Sequence, residues 1–153
     1  MLKRLFIHEK TVEILLKILE AEENGKKIYP MIIAREVGSP YSYVSKILSE
    51  FEKFAIVESE FEGRTKVLRL TKDGKRIAEL LRDLINSLDS DLISRWKVEK
   101  LKEIFERSQK NFRSLAGILA EIEYLKNSKD EKVLKDVKEL EELIRSVLDE
   151  KIG

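Results

Sequence analysis

The chain has 153 residues, with 30 Lys or Arg against 29 Asp or Glu and a formal net charge of +1. Hydrophobic residues make up 42% and charged residues 39%, which is enough apolar content for a core and argues against a wholly disordered chain. Zero Cys excludes disulfides, thiolate metal sites and a thiol nucleophile, and a single His, His8, argues against a His-based triad or a multi-His metal site. No apolar run approaches the ~18 residues of a membrane span, and the opening Met1–Glu9 stretch is too short and too soon charged for a secretory leader, so a cytoplasmic location without membrane contact is expected. High Lys and Glu without Cys is a thermophile-like composition.

Val12, Leu15, Leu16 and Leu19 recur at helical spacing and predict a first helix from about Glu9 to Glu22, ending near Asn24-Gly25. Ile28-Tyr29-Pro30 predicts a short extended piece, because the residue before Pro is steered away from the helical region. Ile32, Ile33, Ala34 and Val37 predict a short second helix ended by Gly38. A third begins at Ser39 or Pro40 and buries Val44, Ile47, Leu48 and Phe51. The period then changes to two: Val57, Ser59 and Phe61 alternate with Glu58, Glu60 and Glu62, and Lys66, Leu68 and Leu70 alternate with Val67 and Arg69. With Glu62-Gly63-Arg64-Thr65 between the runs, this is a β-hairpin. Thr71 is placed to cap a fourth helix, about 72–89, with apolar positions Ile77, Leu80, Leu81, Leu84, Ile85 and Leu88.

The remainder predicts helix throughout. Val98, Leu101, Phe105, Ser108, Phe112, Leu115, Leu119 and Ile122 step alternately by three and four, a heptad seam interrupted once by Ser108. Asn127-Ser128 is the turn, and Val133, Val137, Leu140, Ile144 and Val147 continue the pattern. The expected fold class is mainly α with a small β-hairpin (α+β). Residues 1–76 form a compact unit, and 77–153 a helical extension made of the linker helix and a coiled-coil-like hairpin of about 91–126 and 129–151.

Helix, short strand, helix, tight turn, helix, β-hairpin is the order of a winged helix-turn-helix. The stretch from Ile33 to Lys53 (Ile33-Ala34-Arg35-Glu36-Val37-Gly38-Ser39-Pro40-Tyr41-Ser42-Tyr43-Val44 onward) resembles the helix-turn-helix of many bacterial and archaeal repressors. Leu70-Thr71-Lys72-Asp73-Gly74-Lys75-Arg76 resembles the junction after the wing in multiple-antibiotic-resistance-regulator (MarR)-like and PadR-like proteins. The resemblance covers roughly the first half of the chain and implies a transcriptional regulator that binds double-stranded DNA.

The residues support that implication on their own terms. Burying Val44, Ile47, Leu48 and Phe51 turns Ser42, Lys46, Ser49 and Lys53 outward, with Ser45 beside them and Tyr41 and Tyr43 at the N-terminal end that helix-turn-helix proteins insert into the major groove. Hydroxyls and Lys donate to phosphates or base edges. Arg64, Thr65 and Lys66 at the wing tip are placed to reach the flanking backbone or groove, and Lys26 and Lys27 are further candidates for phosphate contact. Glu58, Glu60 and Glu62 would repel phosphate, so their face of the wing must point away from DNA.

Such modules gain affinity by pairing on a two-fold site. The expected homodimer surface is the helical half: Trp96, Leu101, Phe105, Phe112, Leu115, Gly117, Leu119, Ile122, Val137, Leu140, Ile144 and Val147, with Gly117 marking a close helix crossing. No catalytic residue, metal site or cofactor is expected, although a regulator of this kind is compatible with an unknown small-molecule effector. The alternatives are a non-specific architectural DNA-binding protein and a winged-helix protein-interaction module that never touches DNA. Charge sharpens the reading: Met1–Arg76 hold 15 basic against 12 acidic residues, and Ile77–Gly153 hold 15 against 17.

Overall fold

The apolar spacing builds nine elements in the computed structural model, which describes Leu2 and residues 7–152. They are α1 (Glu9–Glu23), α2 (Pro30–Glu36), α3 (Tyr41–Lys53), β1 (Val57–Glu62), β2 (Thr65–Leu70), α4 (Lys72–Asp89), α5 (Leu92–Arg107), α6 (Phe112–Leu125) and α7 (Glu131–Ile152). The protein is mainly helical, with one small antiparallel hairpin. The N-terminal run read against a leader lies mostly outside the described residues. The described residues divide into two units at Asp89–Ser90, each with its own core. The boundary expected after residue 76 falls inside α4, whose whole length belongs with the first unit.

In the first unit, α1 buries Ile14, Leu15, Ile18 and Leu19 against Ile33 and Ala34 of α2, Val44 and Leu48 of α3, and the hairpin residues Val57, Leu68 and Leu70. Pro30 opens α2 at the position where its missing N–H costs nothing. Gly38, at φ +60°, makes the left-handed step between α2 and α3. The hairpin pairs Val57 with Leu70 through Glu62 with Thr65, and the backbone N–H of Leu68 donates to Ile28 (3.0 Å), which adds a one-residue third strand. The expected short extended piece is therefore a sheet edge.

Thr71 caps α4 as expected: its hydroxyl accepts from the Gly74 N–H (2.9 Å) and donates to the Ala55 carbonyl (2.7 Å). Gly74 is there for space, since a Cβ at that position would lie 1.8 Å from the Ile56 carbonyl oxygen. The apolar stripe expected to bury α4 does so only in part. Ala78 is fully buried, while Ile77, Leu80 and Leu84 are 39%, 57% and 42% exposed.

The second unit corrects the expected two-helix hairpin: three helices form it, because the first long helix is broken. The Ser108 hydroxyl donates to the Phe105 carbonyl at the end of α5, Lys110 takes a left-handed φ of 56°, and the Asn111 side chain accepts from Ser114 N–H to start α6. Ser108 thus ends a helix; it does not interrupt a seam. The break resets the helical phase, so Phe112 points outward (73% exposed) and Ile118 is buried. Val98, Leu101 and Phe105 pack with Leu115, Ile118, Ile122 and Leu125 and with Val133, Val137, Leu140 and Ile144.

Candidate nucleic-acid interface

The third helix is amphipathic in a way that fixes what it offers. Val44 and Leu48 are buried, Ile47 and Phe51 pack partly against the same core, and the opposite side carries Ser42, Lys46, Ser49 and Lys53, all exposed, with Ser45 half-buried. Tyr41 stands half-exposed at the N-terminus, whereas Tyr43 packs on the core and is half-buried. Lys46 has no carboxylate partner among the described residues, and Lys53 lies 5.6 Å from the Phe54 ring centre.

Glu52 fixes the wing to this helix. Its carboxylate accepts from the Ser59 hydroxyl of β1 and from the Lys66 ammonium of β2 (2.9 Å). Burial works against its charge, but these two donors outweigh burial and hold the Glu52 carboxyl below the usual carboxylate range. Ser59 and Lys66 therefore lie on the face of the hairpin turned toward α3, and strand alternation puts Glu58, Glu60 and Glu62 on the other face. There Glu62 pairs with Lys27 (2.6 Å), and Glu60 lies 3.8 Å from Arg69. Glu62 raises the Lys27 pKa, first by hydrogen bonding and then by its charge.

The candidate contacts are thereby sorted. Lys26, Lys46, Lys53 and Arg64 are exposed and unpaired with carboxylates among the described residues, and Thr65 is exposed beside Arg64 at the wing tip. Lys27 and Lys66 are engaged in ion pairs within the unit. Glu52 and Phe61 escaped the sequence reading. Phe61 is 70% exposed near the wing tip, opposite Lys66, and its only signal was a charged residue as cross-strand partner where an apolar one would have buried it. Glu52 carried no signal, since the link runs between elements that only the fold brings together.

Of the residues expected at a dimer surface, Leu101, Phe105, Leu115, Ile122, Val137, Leu140 and Ile144 fill the core of the second unit itself, and Leu119 and Val147 pack partly against it. Their side chains face the third helix of their own unit, which the two-helix expectation lacked. Trp96 (58% exposed) and Phe112 remain on the surface, and nothing lies within 4 Å of a Cβ built on Gly117, so no helix of the unit crosses there. Among the described residues no group of three or more His, Asp or Glu side chains is arranged to hold a metal ion, and no helix is long and apolar enough to cross a membrane.

No family model matches the chain. Over 88 residues it is 41% identical to an uncharacterised protein of Archaeoglobus fulgidus, a match that takes in 58% of this chain and 93% of that protein. The crystal structure of AF1382 from Archaeoglobus fulgidus is 40% identical, with a TM-score of 0.57, and 58% of this chain covers 98% of it. The chain belongs to the same family as these archaeal proteins. The homodimeric winged helix-turn-helix DNA-binding domain Mb0332 of Mycobacterium bovis is 17% identical with a TM-score of 0.45, and the match covers 56% of this chain and 75% of that one. The order helix, one-residue strand, helix, turn, helix, hairpin is that of a winged helix-turn-helix.

Proposed function

We propose that this protein is a dimeric winged-helix DNA-binding regulator of the MarR-like or PadR-like kind. The observation that carries the reading is the sorting of charge on the first unit. The outer face of α3 keeps Tyr41, Ser42, Ser45, Lys46, Ser49 and Lys53 clear of carboxylate partners, while Glu62 and Glu60 are met by Lys27 and Arg69 on the far face of the wing. A groove-reading helix needs donors that are not already engaged. In this reading α3 enters the major groove and Arg64 and Thr65 touch the flanking backbone. Lys66 positions the wing through Glu52. Pairing through the second unit is supported by its exposed Trp96 and Phe112 and the open surface at Gly117.

Fluorescence anisotropy on the DNA upstream of the protein's own gene, against an unrelated duplex of equal length, tests the proposal. Lys46→Glu and Arg64→Glu are each expected to weaken binding about tenfold or more. Unchanged affinity in both variants overturns it. The exposed Phe54 and Phe61 (67% and 70%) favour, as a second reading, a winged-helix module that binds protein. Absence of any DNA shift at low salt, together with a partner that co-purifies and is lost on Phe61→Ala, would establish that reading instead.

A further inference from the structure

A cleft opens between α2 and the first turn of α3. Met31, Ile32, Ala34 and Arg35 line it from α2, and Ser39 and Tyr41 line it from the turn and from α3, around about 310 Å³ open to solvent. Met31 and Arg35 stand one helical turn apart on the outer face of α2, and Met31 is 65% exposed. No carboxylate lines the cleft: Glu36, the one acid of α2, is turned to Lys17 of α1 (3.4 Å). The Arg35 guanidinium makes no ion pair among the described residues. We infer that this cleft is a thymine-reading site, in which the C5-methyl group of a thymine in the major groove packs against Met31, Ile32 and Tyr41.

Three features select that occupant. The first is place. Tyr41 belongs both to the cleft and to the end of α3 that the reading above puts into the major groove, so the cleft opens onto the base edges which that end faces.

The second is chemistry. Ser42, Lys46 and Ser49 present hydrogen-bond donors along α3, but the cleft presents mainly hydrocarbon and the Met31 thioether. A base nitrogen or oxygen brought against such a lining loses its water and gains no partner. Among the four bases only thymine shows an apolar group in the major groove, its C5-methyl. The third is charge: a rim that holds Arg35 and no acid suits a strand carrying phosphates. The inference rests on the DNA-binding part of the reading above and adds to it residues of α2, none of which that reading uses.

Uracil differs from thymine only by that methyl group, so the first arm of the test needs no altered protein. The DNA upstream of the protein's own gene is prepared with thymine or with uracil at every such position. The full chain is then titrated against both duplexes by fluorescence anisotropy. Loss of one buried methyl group per protomer is expected to weaken binding to the uracil duplex about fourfold or more. Met31→Ser, at an exposed position, is expected to weaken binding to the thymine duplex by a similar factor. It should leave the uracil duplex nearly unaffected, so that the preference for thymine collapses.

Uracil also changes how the duplex stacks. If that indirect effect alone produced the preference, Met31→Ser would keep it in full, and such a result overturns the inference. Equal affinity of the unaltered chain for the two duplexes overturns it as well. In both cases the DNA reading stands. No binding to either duplex at low salt overturns the DNA reading, and the inference with it.

Discussion

Gly74 and Ala55 show how single positions carry the junction between α3, the wing and α4. The first turn of α4 lies so close to the loop before β1 that any side chain at 74 meets the Ile56 carbonyl at 1.8 Å. Gly74→Ala is therefore expected to destabilise the protein by about 1–3 kcal/mol, the usual range for forced overpacking, readable as a lower urea midpoint. An unchanged midpoint would mean that the loop yields freely. Ala55 is the opposite case. It holds φ at 55° with no steric reason for a methyl group, since it is exposed. Ala55→Gly should relieve that strain and raise stability by roughly 0.5–1 kcal/mol, a gain that a loss of melting temperature would refute.

At the scale of elements, the second unit is joined by its loop carboxylates as well as by its core. Asp130 caps α7 by accepting from the N–H groups of Lys132 (3.0 Å) and Val133 (3.4 Å), and it also takes Asp91 N–H (3.1 Å) and a two-point contact from Arg95 (2.7 and 3.1 Å). Asp91 in turn caps α5 through Ser94 N–H and accepts from the Ser128 hydroxyl. Arg95 holds the Asp130 carboxyl below its ordinary pKa, and hydrogen bonds from Ser94 and Ser128 do the same for Asp91.

The native state thus prefers both groups ionised. Their stabilisation is complete above the ordinary aspartate value of 3.8 and is lost as the pH falls through that value and below it. Asp130→Asn should cost about 2 kcal/mol at neutral pH, and the gap between variant and parent should narrow toward about pH 3. Urea midpoints at the two pH values measure it. A gap that does not change would show that the contact works without its charge.

For the whole molecule, the near-zero net charge becomes intelligible once the pairs are drawn. Of the basic residues expected at the interface, Lys27 and Lys66 are already neutralised in place, leaving Lys26, Lys46, Lys53 and Arg64 as exposed cations without carboxylate partners among the described residues. A binder with about four phosphate contacts per protomer should show a log–log salt slope of roughly −4 per protomer. A much steeper slope with no sequence preference would instead mark a coating, architectural protein. Measuring affinity across a salt series separates the two.

Helix spacing, the shift from period three-to-four to period two, the turn at Gly63 and the Thr71 cap were all legible in the sequence, because each is a local consequence of which side chains follow one another. They were enough for the winged-helix order and for the outward face of α3. The break at Ser108–Asn111 was half legible: the polar residue in the seam was visible, but a heptad continues equally well through one Ser or ends at it, and only the left-handed Lys110 and the Asn111 cap decide.

What tertiary structure alone determined is who neutralises whom and who is left uncovered. Glu52 reaches Ser59 and Lys66, and Lys27 reaches Glu62 from 35 positions away. Most seam residues, Phe112 apart, turn into their own three-helix core, and α4 keeps half its apolar face bare. Periodicity shows that a face is apolar, but it cannot show which face meets it, because that depends on contacts between segments far apart in the chain.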